Sequence, residues 1–82
     1  MQDRMQMLVR PEMKRIFSDV FKYDGQITAE TTRRDVPKWD SLQHVALVAT
    51  IEQYFGISLS MDEMIEMRSV QDICNILDRH GV

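Results

Sequence analysis

The sequence predicts a small all-α domain, a four-helix bundle of three main helices and one short one. Three observations predict it. Apolar residues recur at spacings of three and four in separate stretches, a capping Ser or Asp stands ahead of several of them, and no stretch alternates apolar and polar residues as a half-buried strand does.

The first helix carries Met13, Ile16, Phe17, Val20 and Phe21 on one stripe. Pro11 marks its start, because proline at the first helical position loses no hydrogen bond, whereas in mid-helix it breaks one and clashes with the preceding turn. Residues 1–10 then form an N-terminal extension, frayed or a separate short turn, and residues 11–82 a single domain. From Lys22 to Trp39 the periodicity disappears. Asp24-Gly25, the threonines at 28, 31 and 32, and Val36-Pro37 all speak for an irregular loop. Loops beyond about 12 to 15 residues are uncommon in compact domains and are usually functional. Ile27 and Val36 are its expected anchors in the core, with Arg33, Arg34 and Lys38 left in water.

Asp40 opens the second helix as its N-cap, with Gln43 placed to reach back as in a capping box, and Ser41 falls on the first turn. Gly56 ends it. Ser60 and Glu63 form a second capping box, Leu59 and Met64 hold the positions of a hydrophobic staple, and a short helix follows to about Met67. Ser69 caps the last helix, whose stripe is Val70, Ile73, Cys74 and Leu77. Gly81 stops it, with Arg79 and His80 where positive charge favours a helix C-terminus.

At 82 residues the chain is one domain. A domain this size buries roughly 60% of its unfolded surface, which leaves little interior for an enzymatic cleft, so no enzyme is expected. Hydrophobic residues at 44% and charged residues at 28% fit an ordered globular protein. Lys plus Arg number 10 against 13 Asp plus Glu, a formal net charge of −3 that offers no basic stripe to a nucleic acid. The one cysteine, Cys74, has no disulfide partner and no neighbours at metal-ligand spacing, so no metal is expected and a reducing compartment, the cytoplasm, is. Residues 1–9 carry Asp3 and Arg4 among methionines and lack the apolar run of a signal peptide. The longest apolar run, Val45 to Ala49, is too short to span a bilayer.

At about 100° per residue, Leu47, Val48, Ile51 and Phe55 share one side of the second helix, the core face. Leu42, Val45, Ala46, Ala49 and Gln53 lie opposite, and this second, mostly apolar face cannot point into the same core. Either another helix covers it or it is a docking surface; docking is the favoured reading.

Asp40-Ser41-Leu42 at the mouth of a helix, after a long loop, resembles the Asp-Ser-Leu attachment motif of acyl carrier proteins. The run DSLQHVALVATIEQYFGISLSMDEMIEMRSVQDICNIL is similar to that family in its apolar spacing, its Phe-Gly-Ile turn, its short third helix and its Val-x-x-Ile closing pattern. The resemblance implies that a phosphopantetheinyl transferase, using coenzyme A, esterifies Ser41 with a 4′-phosphopantetheine arm. The arm's thiol then carries acyl groups as thioesters in fatty-acid, lipid or polyketide-type biosynthesis. Asp40 caps the helix and Leu42 fits an apolar spot on the transferase. Acyl-activating, condensing or acyltransferase enzymes are expected to dock on the second helix through Gln43, Val45, Ala46 and Ala49, with the chain a monomer. Leu47, Ile51, Met61, Met64 and Ile65 are candidates to line a shelter for the acyl chain, methionine being adaptable to irregular space, although Met61, Met64 and Met67 on one side of the short helix equally suit plain packing.

Two departures stand out. Gln43 and Ala46 replace carboxylates found on the second helix of housekeeping carriers, so charge steering weakens and apolar contact gains weight. Trp39 before the motif is similar to carriers dedicated to one pathway. An aminoacyl or peptidyl carrier, or a helical adaptor without the arm, remain the alternatives. His44 near Ser41 and Asp40 invites a hydrolase reading, rejected because sequential residues on one exposed turn do not converge on a substrate and an oxyanion site; His44 is expected at the surface or core edge, touching partners.

Overall fold

Four stretches of this chain close helical hydrogen bonds in the computed structural model, which describes residues 10–82: α1 (Pro11–Phe21), α2 (Ser41–Phe55), α3 (Met61–Glu66) and α4 (Val70–Arg79). The described residues contain no strand; one isolated antiparallel bridge joins Thr32 to Ser69. The all-α bundle is as expected, while residues 1–9, and so most of the expected extension, lie outside the described residues.

Three of the four helices begin at a side-chain cap, and α1 begins at a proline. Pro11 is the first residue of α1, where it gives up no bond. Asp40 Oδ1 accepts from the Gln43 N–H at 2.8 Å. The reciprocal half of the expected box is absent, because the Asp40 N–H donates to the Lys38 carbonyl at 3.0 Å. Both halves form at α3, where Ser60 Oγ accepts from the Glu63 N–H and Glu63 Oε1 accepts from the Ser60 N–H. Ser69 Oγ accepts from the Asp72 N–H at the start of α4. Gly56 ends α2 with φ 67°, a backbone setting that costs glycine little. Lys22 ends α1 with φ 54°, a left-handed setting uncommon for a lysine.

The core draws Met13, Ile16, Phe17 and Phe21 from α1, Leu47, Val48 and Ile51 from α2, and Val70, Ile73, Cys74, Ile76 and Leu77 from α4. Cys74 is packing material, as its stripe predicts. The long loop is part of this core. Val36 is fully buried and Ile27 partly so, as expected, but Trp39 and Thr31 are buried as well. Trp39 stands edge-on to Phe17 at 5.3 Å between ring centroids and stacks on Phe21 at 5.6 Å, an aromatic cluster that fixes the loop's exit. Its middle is pinned to α4, since the Val70 and Gln71 N–H groups donate to the Thr31 and Ala29 carbonyls, each at 3.0 Å. These bonds satisfy donors of α4's first turn that the helix itself cannot.

The methionine side of α3 does not hold together. Met67 is buried and Met64 half-buried, but Met61 is 70% exposed. The helix ends at Glu66, and Met67 has a non-helical ψ of 86°, so it turns into the core from beyond the helix. The end of α4 closes back on α3: His80 Nε2 lies 3.1 Å from Glu63 Oε2 and Arg79 3.1 Å from Glu66. The Ser60 backbone N–H, and then His80, hold the Glu63 carboxyl below its ordinary range.

Candidate functional site

The sequence places its chemistry at the N-terminus of α2, and the structure leaves that end open. Ser41 is the first residue of the helix and is exposed, as is Asp40 before it. With Asp40 holding the Gln43 N–H, the N–H groups of the first turn still face outward, and they and the helix dipole favour an anion beside Ser41. Leu42 is 76% exposed. Val45, Ala46 and Ala49 are exposed and Gln43 half-exposed, so among the described residues no other helix covers the outer face of α2. Glu52, the only carboxylate on α2, is turned away from this work: its Oε2 accepts from the Leu59 N–H at 2.8 Å and braces the turn after Gly56. The outer face is therefore apolar and nearly uncharged.

His44 is the residue whose position the sequence hid. It is buried, with both ring nitrogens engaged. Trp39 Nε1–H donates to His44 Nδ1 at 3.0 Å. Indole nitrogen is a donor only, so Nδ1 is the acceptor, Nε2 bears the hydrogen, and Nε2–H donates to the Met64 carbonyl at 2.8 Å. The two rings lie nearly parallel, 11° apart in plane. The expectation of a partner-touching surface residue is thus corrected to its core-edge form. Neither nitrogen is left to serve Ser41 as a base. One turn beyond Ser41, His44 instead clamps α2 to the loop exit on one side and to α3 on the other, which fixes the helix end that presents the serine.

Of the five residues expected round an acyl chain, Leu47 and Ile51 share the core cluster, Met64 packs against it, and Met61 and Ile65 face out. Leu47 and Ile51 are fully buried among core side chains, Met64 is half-buried, and Met61 and Ile65 are 70% and 62% exposed. A guest reaching Leu47 and Ile51 would have to part a packed core.

Against this geometry, comparison with known proteins is decisive. Residues 11–77 match the family described as the phosphopantetheine attachment site. The solution NMR structure of a holo acyl carrier protein from Geobacter metallireducens superposes with a TM-score of 0.75 at 30% identity, covering 83% of this chain and 79% of that one. This chain belongs to the acyl carrier protein family. A candidate acyl carrier protein from Mycobacterium tuberculosis shares the fold at a TM-score of 0.75 and 22% identity, covering 84% of this chain and 93% of its own. Comparison with curated proteins gave no match.

Membership brings the cofactor with it: the family's domain is the attachment site of covalently bound 4′-phosphopantetheine. The α2 terminus fits such a group, because it joins an exposed hydroxyl to a helix end that favours a phosphodiester. Carriers of this family work with phosphopantetheinyl transferases and biosynthetic enzymes. Among the described residues no helix is long and apolar enough to cross a membrane.

Proposed function

We propose that Ser41 bears the 4′-phosphopantetheine arm and that the chain is a non-catalytic, cytoplasmic, monomeric carrier of acyl thioesters for fatty-acid, lipid or polyketide-type biosynthesis. One observation carries the reading: within a chain matching the attachment family over residues 11–77, Ser41 is an exposed hydroxyl opening a long helix in the setting Asp40-Ser41-Leu42. When attached, the arm supplies the thiol on which cargo is held as a thioester. In the attachment itself the Ser41 oxygen bonds to the phosphorus bearing the pantetheine, the nucleotide part of coenzyme A leaves, and the hydroxyl proton is lost.

The transferase supplies that chemistry, and this chain's task is presentation. Asp40 and His44 hold the helix end still, so the serine is offered in one orientation. Leu42 gives the transferase an apolar anchor, and Gln43, Val45, Ala46 and Ala49 form the face on which acyl-activating, condensing or acyltransferase enzymes dock. With Glu52 committed to Leu59, docking depends on contact area more than on charge and changes little with salt.

The test is the intact mass of the chain after incubation with coenzyme A and a broad-specificity phosphopantetheinyl transferase. Gain of one phosphopantetheine by the parent and none by Ser41→Ala, with unchanged helicity, is expected. No gain with several transferases would overturn the reading in favour of an armless adaptor.

A further inference from the structure

Thr32, Arg33 and Arg34 of the loop meet Ile65 of α3 and Arg68 of the α3–α4 joint round an open groove of about 550 Å³. All three arginines are exposed, and the ion pairs formed among the described residues involve Arg10, Arg79 and His80 instead. Asp35 and Asp72 lie close in sequence, but each turns its Oδ2 to a backbone N–H, that of Thr32 and that of Arg68 respectively. In a chain of formal net charge −3 this is a local reversal of sign, with three arginines lining one concavity that no acidic residue lines. An oxyanion placed there relieves their mutual repulsion and matches their forked donors. Ile65, 62% exposed, gives the groove an apolar wall.

One contact links the groove's apolar wall to α2. His44, one turn past the serine, donates to the Met64 carbonyl at 2.8 Å, and Ile65 is the next residue. We infer that the groove binds the free carboxylate of the group carried on the Ser41 arm, so that the cargo is a short acyl chain ending in an acid, about the size of succinyl. The inference rests on attachment at Ser41. A long apolar chain finds no open room beside Leu47 and Ile51, which are fully buried. A short diacid lays its methylenes along Ile65 and its carboxylate among Arg33, Arg34 and Arg68. Exposed ion pairs are weak, yet a tethered ligand is present at an effective concentration on the order of millimolar, so a weak site is enough.

To test this, the full chain is loaded from succinyl-coenzyme A and, separately, from butyryl-coenzyme A by the transferase, and loading is checked by intact mass. Amide and arginine side-chain NMR signals of the two forms are then compared. The expected result is a set of shifts at residues 32–34, 65 and 68 in the succinyl form only, lost in the double variant Arg33→Gln/Arg68→Gln and at about 0.5 M salt, where screening is strong. Identical signals in the two loaded forms, or shifts that survive in the double variant, overturn the groove assignment while leaving the arm in place. A chain that gains no mass overturns the attachment instead. In that case the unloaded chain is titrated with sodium succinate against sodium chloride of equal ionic strength: shifts confined to the groove support the anion site, and none overturn it.

Discussion

The two sides of α2 are built from similar residues and meet opposite fates. Leu47, Val48 and Ile51 lie in one core cluster with residues of α1 and α4 and with Trp39, whereas Leu42 and Val45, no less apolar, stand 76% and 58% exposed. Fifteen helical residues thus serve two purposes, the inner side holding the bundle together and the outer side kept open beside Ser41. Apolar character alone does not assign a residue to a core; a carrier that must be gripped by several enzymes keeps apolar area in water.

The comparison breaks most sharply by truncation. Leu47→Ala removes a fully buried side chain and should cost about 3 kcal/mol in chemical denaturation, while Leu42→Asp should change stability by no more than about 0.5 kcal/mol and slow transferase loading about tenfold. Equal stability losses on the two sides would mean that the outer face is covered.

The clamp between the sides comes next. His44→Ala leaves the Trp39 indole N–H and the Met64 carbonyl without partners, and a loss of about 2 kcal/mol is expected, with tryptophan fluorescence reporting the loosened ring. A loss below about 0.5 kcal/mol would show that α3 does not depend on it.

A smaller effect, of opposite sign, belongs to Lys22. Its φ of 54° strains an L side chain, so Lys22→Gly should raise stability by about 0.5 to 1 kcal/mol, visible as a higher denaturation midpoint at unchanged slope.

The smallest effect concerns α3. Glu63 has its folded-state pKa lowered below 4.5, so its contribution is fully present above that ordinary value and is lost as pH falls through the lowered one. Glu63→Gln should flatten this part of the acid limb and leave the curve above neutrality unchanged in slope. An unaltered acid limb would remove Glu63 from the account.

Much of this was legible in the sequence because it was local. Pro11, Asp40, Ser60 and Ser69 act within three residues of themselves, and the stripes of α1 and α4 need only the helical period. What stayed hidden depends on distance along the chain. His44 meets Met64 twenty residues away, Trp39 enters the core from a loop without periodicity, and Thr31 is buried because its carbonyl serves Val70. The failed half of the α2 capping box is a local exception: the Asp40 N–H is taken by the Lys38 carbonyl, two residues back, in a loop without a periodic pattern to reveal the turn. At the site, the serine and its outer face could be read from a motif and a helical wheel. The arginine groove could not, because its residues come from two segments that only the fold brings together.

Fragment mass spectrometry of the loaded chain shows whether Ser41 carries the arm. Trypsin releases residues 39–68, a peptide that also holds aliphatic hydroxyls at Thr50, Ser58 and Ser60. The whole phosphopantetheine mass is expected on Ser41, with Thr50, Ser58 and Ser60 unmodified. Modification of Ser60, which opens the much shorter α3, or of no residue in the peptide, would contradict it.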